Sequence, residues 1–173
     1  KERFGMDGFV ISAVHLIRGI GILAGLEVLE VPGITGYLDT NYEAKGQYAL
    51  KGLRDKDFVY VHVEAPDEAG HMGDLRLKIE AIEAVDEKVV GPILNGMKEF
   101  MRYKILILPD HPTPLTVRTH VADPVPFAIY SNESGAAFGH GKAFDEVSAR
   151  QSGIFIEKGF ELIERFLNSR GSS

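Results

Sequence analysis

DFVYVHVEAPDEAGH, residues 57–71, changes character within a few positions. Residues 58–63 are β-branched and aromatic and have the length of a strand, and Pro66 then ends that pattern. A polar cluster follows at once, Pro66 to His71, before a long amphipathic helical pattern over residues 75–96 with Ile79, Ile82, Val89 and Ile93 among its apolar positions. Strand, polar strand end, helix is the repeating unit of an α/β fold. Pro92 falls inside the helical span, so a break or kink is expected near its end.

Upstream, residues 8–12 form a short apolar run, and residues 13–24 carry Leu16, Ile17, Ile20 and Leu23 on one helical face, closed by Gly25. A strand over 26–31 ends at Pro32-Gly33, a loop crosses 35–40, and a second helix spans 42–53. Downstream, residues 104–108 are apolar at their centre and read as a buried strand of a parallel sheet. Prolines at 109, 112, 114, 124 and 126 make 109–126 a loop before a strand at 127–130. A Gly-rich surface loop over 131–142 and a last helix over 147–167, carrying Ile154, Leu162 and Phe166, precede a frayed tail at 170–173. The expected architecture is a three-layer α/β/α sandwich around a mostly parallel, doubly wound sheet, with no repeat and no dividing linker.

The chain has 173 residues, 45% of them hydrophobic, enough for one sizeable core. A net charge of -6 without a basic cluster argues against nucleic acid or an anionic membrane as partner, and favours small molecules. Apolar runs are far shorter than the roughly 20 residues of a membrane-spanning helix. The absence of Cys excludes disulfides and thiolate metal sites and fits a reducing, cytoplasmic setting. The chain starts at Lys1 rather than Met, and the start reads as a cut boundary, making the chain a fragment.

Three polar clusters flank the strands, where open α/β sheets place their ligands. Asp67 and His71 lie four apart and share one helical face if Pro66 begins a turn. Asp110-His111 follows an apolar strand, and His120 precedes the next one. Two carboxylates and three imidazoles make a mixed nitrogen and oxygen set suited to Zn²⁺, Mn²⁺ or a related ion, and five ligands suggest two metals. Blander readings stand beside this. Asp67 and Glu68 also suit a helix N-terminus, Asp110-His111-Pro112 also suits a turn, and a lone His120 also suits a structural hydrogen bond. His15 and His62 read as structural, His140 is unassigned, and Glu80, Glu83 and Glu87 read as a solvated helix face.

Residues 57–71, continued by Gly73-Asp74-Leu75 and residues 78–83, resemble the archaeal-type cofactor-independent phosphoglycerate mutases of the alkaline phosphatase superfamily. Residues 11–14, 36–42, 110–114, His120, 124–127 and 153–156 extend the resemblance along most of the chain. It implies that Asp67, His71 and His120 hold one metal, while Asp110 and His111 hold another together with an Asp and a nucleophilic Ser that have no counterpart in this chain. The cofactors implied are two divalent ions (Mn, Zn, Mg or Co), with no 2,3-bisphosphoglycerate.

The implied reaction interconverts 3-phosphoglycerate and 2-phosphoglycerate through a phosphoserine, as a step of glycolysis. Ser12 lies in a different segment from the family's nucleophile, and no substrate-binding role transfers to Arg18, Arg76 or Arg118. The fragment reads as the C-terminal part of the metal-binding domain, binding metal weakly and inactive alone. The alternatives are another metal-dependent phosphatase or phosphomutase of the superfamily, or a non-catalytic α/β module. A homoserine-kinase activity lacks its Gly-rich ATP-binding element here. Oligomeric state is unassigned.

Overall fold

Strand β1, Gly8–Ile11, is the centre of a three-stranded parallel sheet, with β2, Glu27–Val28, on one side and β3, Phe58–Val61, on the other. The pleat sends Val10 and Ile11 to opposite faces. On one face, Val10 meets Gly21 of α1, His15–Leu23; a Cβ at Gly21 would lie 2.6 Å from Val10 Cγ1, so only glycine lets this helix come so close. On the other, Ile11 packs with Ala44 and Ala49 of α2, Tyr42–Leu53. Right-handed crossovers demand this: the chain leaves β1 for one neighbour and then passes back over it to the other, so the two helices cover opposite faces. The α/β class read from the sequence is therefore observed, with β1 as the strand from which the sheet winds both ways. The computed structural model describes residues 5–133 and 143–168.

The span of α2 is as expected from the sequence, and its start is fixed by Asn41, whose side chain accepts the Ala44 N–H at 3.0 Å. The face of α1 differs from the expectation. Leu16, Ile20 and Leu23 are exposed, at 69%, 53% and 90%. Residues 14–24 are apolar on nearly every side, so periodicity cannot choose a face; the small residue at Gly21 does, because it allows the closest approach to the sheet.

After β3 come α3, Ala65–Met72, and α4, Leu75–Val85. The expected break near Pro92 takes the form of a π turn over Asp86–Val90 before α5, Gly91–Gly96. Pro92 has no N–H to return to residue 88, and the Gly91 N–H instead reaches the Asp86 carbonyl five residues back, a wider turn that accommodates the ring. Tyr42, Ala65, Ala81 and Val89 form a buried cluster joining these helices to α2.

Two compact units divide the chain, Lys1–Lys98 with Thr113–Thr119, and Glu99–Pro112 with His120–Ser173. In the second, β4, Lys104–Ile107, pairs with β5, Ala128–Ser131, antiparallel rather than within a parallel sheet, and every β4 residue is only partly buried. An apolar run does not encode direction. The connection from 108 to 127 contains no helix, and a parallel return normally needs a crossover of that kind. The single last helix is also corrected: α6, Glu146–Gln151, and α7, Leu162–Asn168, are separate. Gly153, at φ 70, ends α6, and Ile154, expected inside, is 53% exposed. The Lys104 ammonium caps α7 by bonding the Phe166 and Leu167 carbonyls. His140, most of the Gly-rich loop and the tail at 170–173 lie outside the described residues.

Candidate metal centre

The C-terminal edge of the parallel sheet carries a continuous polar chain. Ser12 follows β1 and His62 follows β3, and the Ser12 hydroxyl lies 3.2 Å from His62 Nδ1. His62 Nε2 is 3.2 Å from the Glu64 carboxylate, so the ring donates from Nε2 and accepts at Nδ1. Ser12 also accepts the Val14 N–H at 3.0 Å and is 2% exposed, which leaves it held inside the fold rather than presented as a nucleophile. Beneath it, Lys45 is fully enclosed and donates to the His62 carbonyl at 2.7 Å. Burial pulls its pKa down to about 8, with the nearby Glu64 charge opposing that fall.

Glu64 precedes α3, and its carbonyl accepts the Asp67 and Glu68 N–H groups. Pro66 occupies the first turn, where its missing N–H costs nothing, and Asp67 and Glu68 sit where the helix dipole favours negative charge. One helical turn later His71 comes beneath Asp67, with Nε2 3.2 Å from Oδ2. The other atoms of both side chains are occupied by the segment 113–119. The Thr113 hydroxyl donates a short hydrogen bond to Asp67 Oδ1, and His71 Nδ1 lies 3.0 Å from the Arg118 carbonyl.

A carbonyl can only accept, so the contact with Arg118 is a hydrogen bond when His71 Nδ1 carries the proton. In the neutral ring Nε2 is then a lone pair facing a carboxylate oxygen, an arrangement that repels unless a cation lies between them. Protonation is one answer: the Arg118 carbonyl, followed by the Asp67 and Glu68 charges, raises the His71 pKa. A divalent cation is the other, since imidazole nitrogen and carboxylate oxygen with their remaining atoms tied to protein are the donor set such an ion takes. Asp67 and His71 therefore fit a metal.

In the second unit, Asp110 turns back on its neighbour. Oδ1 accepts the His111 N–H at 3.0 Å and Oδ2 lies 3.2 Å from His111 Nε2. The His111 and His120 rings stack with centroids 3.7 Å apart, and the loop between them is tied by the Val121 N–H to the Pro112 carbonyl. The Asp110-His111 cluster and His120, read as two separate clusters in the sequence, are thus neighbours, on a loop without helix or strand.

Residues 1–158 match the Metalloenzyme superfamily. The chain belongs to that superfamily. Membership implies a divalent-metal site, in keeping with the donor atoms above. The chain is similar to a probable 2,3-bisphosphoglycerate-independent phosphoglycerate mutase of Geobacter sulfurreducens, 54% identical over 167 residues, which are 96% of this chain and 42% of that protein. It is also similar to the 2,3-bisphosphoglycerate-independent phosphoglycerate mutase of Methanosarcina acetivorans, 51% identical over 164 residues, 94% of this chain and 41% of that protein. A solved protein from Pyrococcus horikoshii superposes with a TM-score of 0.87 at 32% identity, covering 99% of this chain and 52% of the other. The chain thus spans about two fifths of the curated relatives it matches. The resemblance to archaeal-type cofactor-independent mutases is borne out by what these relatives are.

Within this superfamily member, sequence reasoning missed Thr113, the Arg118 carbonyl, Lys45 and the role of His62. The available signal for Lys45 was its place on one helical face of α2 with Tyr42, Ala49 and Gly52, since a charge on such a face needs buried partners. His62 was read as a strand residue, yet β3 ends at Val61. No pattern marks a backbone carbonyl as a partner.

Proposed function

We propose that this chain contributes the metal-binding part of a cofactor-independent phosphoglycerate mutase, which interconverts 3-phosphoglycerate and 2-phosphoglycerate without 2,3-bisphosphoglycerate. Asp67 and His71, with Asp110, His111 and His120, are the ligands of two divalent cations, Mn²⁺ foremost. The observation that carries the reading is the Asp67–His71 pair, whose facing lone pairs call for a cation, in a chain about half identical to proteins bearing that name.

Bound cations neutralise phosphoryl oxygens and lower the pKa of a serine hydroxyl, as phosphoryl transfer through a phosphoserine requires. That serine is not Ser12, whose oxygen is bonded within the fold. The residues of this chain hold and orient: α3 fixes the spacing of Asp67 and His71, and the chain through Ser12, His62 and Glu64 anchors the start of α3. Acidic charge supports a small-molecule substrate over a polyanion, the absence of Cys fits a reducing, cytoplasmic setting, and the proposed reaction is a step of glycolysis.

The test is an assay of the full gene product for phosphoglycerate interconversion without added 2,3-bisphosphoglycerate, before and after chelation and Mn²⁺ restoration, with Asp67→Ala alongside. Chelator-sensitive activity that Asp67→Ala lacks is expected. Activity indifferent to chelation, or no interconversion by folded and metal-loaded protein, would refute the reading.

A further inference from the structure

We propose that residues 113–119 form a clasp that positions the metal-ligand pair on α3: the Thr113 hydroxyl sets the Asp67 carboxylate, and the Arg118 carbonyl sets the His71 tautomer. The proposal rests on the metal-binding reading above and assigns roles to two residues outside the ligand set.

A carboxylate offers two oxygens, and which one meets a cation depends on what holds the other. Here Thr113 takes Oδ1, which leaves Oδ2 turned toward His71 Nε2. Thr113 is itself fixed: it is 4% exposed, and its carbonyl accepts the Lys78 ammonium at 2.6 Å. Gly70 makes the approach possible. A Cβ there would stand 2.7 Å from the Thr113 carbonyl oxygen and 2.9 Å from its Cγ2. Glycine lies between the two ligands on α3 because the clasp passes over that point.

Arg118 acts through its backbone. At φ 57 it is the one non-glycine residue among those described that adopts a left-handed conformation. Side chains avoid that region, so the surrounding contacts must impose it. The Arg118 N–H returns to the Pro114 carbonyl at 2.8 Å, and the Arg118 carbonyl meets His71 Nδ1. A ring held as the Nδ1–H tautomer presents Nε2 to a cation without first having to exchange a proton between its nitrogens. Thr113 and Arg118 are positioning residues: they touch the ligands and not the ion.

The test measures Mn²⁺ binding to the full gene product directly, by electron paramagnetic resonance titration well below the unfolding temperature. Thr113→Val keeps the branched shape and the backbone but loses the hydroxyl. It should weaken binding about 10- to 100-fold, the usual cost of losing a partner behind a metal ligand, while Thr113→Ser restores binding. A purely structural threonine would lower the urea midpoint of the valine variant and leave its Mn²⁺ affinity unchanged, which would overturn the proposal.

Nitrogen-15 NMR of the metal-free wild-type chain above the His71 pKa supplies the second measurement, independent of how the variant folds. An Nδ1–H tautomer is expected, and an Nε2–H tautomer would overturn the role given to Arg118. If the full gene product binds no Mn²⁺ at all, the metal-binding reading fails and takes this proposal with it. Equal binding by wild type and Thr113→Val overturns the clasp alone.

Discussion

Asp67 and His71 stand on a regular helix, whereas Asp110, His111 and His120 stand on irregular chain, and the two sets are held in different ways. On α3 the helix fixes the spacing, Thr113 and Arg118 secure the atoms facing away, and Asp67 is 19% exposed at its side chain. Asp110 is 61% exposed and turns both oxygens to its own neighbour, and His111 leans on His120. Donors supported from behind are organised before a cation arrives; donors that support one another must exchange those contacts for it. The first set should therefore be costly to disturb and the second cheap.

The largest effect expected from this contrast separates activity from stability. In the full gene product Asp110→Asn should abolish chelator-sensitive activity, yet change the unfolding free energy of this chain by no more than about 0.5 kcal/mol, as exposed substitutions do. A large loss of stability would mean that Asp110 is as deeply built in as Asp67, and the comparison would fail.

Lys45 comes next. Its folded pKa of about 8 lies below the unfolded value of 10.5, so between those limits the unfolded chain binds more protons and stability must rise with pH. The penalty is fully present below about pH 8 and relieved by about pH 10.5, a difference on the order of 3 kcal/mol. Urea unfolding at pH 7.5 and 9.5 reads it, and Lys45→Met should remove this part of the slope. An unchanged slope would place the titration elsewhere.

Gly70→Ala should destabilise by about 1–3 kcal/mol, the cost of overpacking, because its methyl meets the Thr113 backbone. The matching alanine at Gly159, where nothing lies within 4 Å, should cost far less. Similar losses at the two sites, measured by urea unfolding, would remove the close approach as the explanation. Arg118→Gly is the smallest and sharpest case. It keeps the carbonyl and relieves the left-handed strain, so stability should stay within about 1 kcal/mol and Mn²⁺ affinity should hold.

Much of the first unit was legible because its signals are local. The turn and loop before residue 42 mark where α2 begins, Pro66 opens α3, and four-residue spacing puts Asp67 and His71 on one face. Signals that depend on partners were not. The stripe Leu16, Ile20 and Leu23 is as apolar as a core face, and only the fit between Gly21 and Val10 decides which side meets the sheet. The apolar centre of β4 carries no information on strand direction, and the helix-free return to β5 makes the pair antiparallel. Thr113 appears in the sequence as one residue of a Pro-rich loop, and its bond to Asp67 spans 46 positions.

The enclosure of Lys45 also sets the order in which the amines of this chain react. At pH 8 about half of its side chains would be the neutral, nucleophilic form, more than an ordinary lysine offers at that pH. With 1% of the residue exposed, no acylating reagent reaches it in the closed fold. Lys45, although readily deprotonated, should then be among the slowest lysines to label, and its labelling rate would time the moments when α2 lifts from the edge of the sheet.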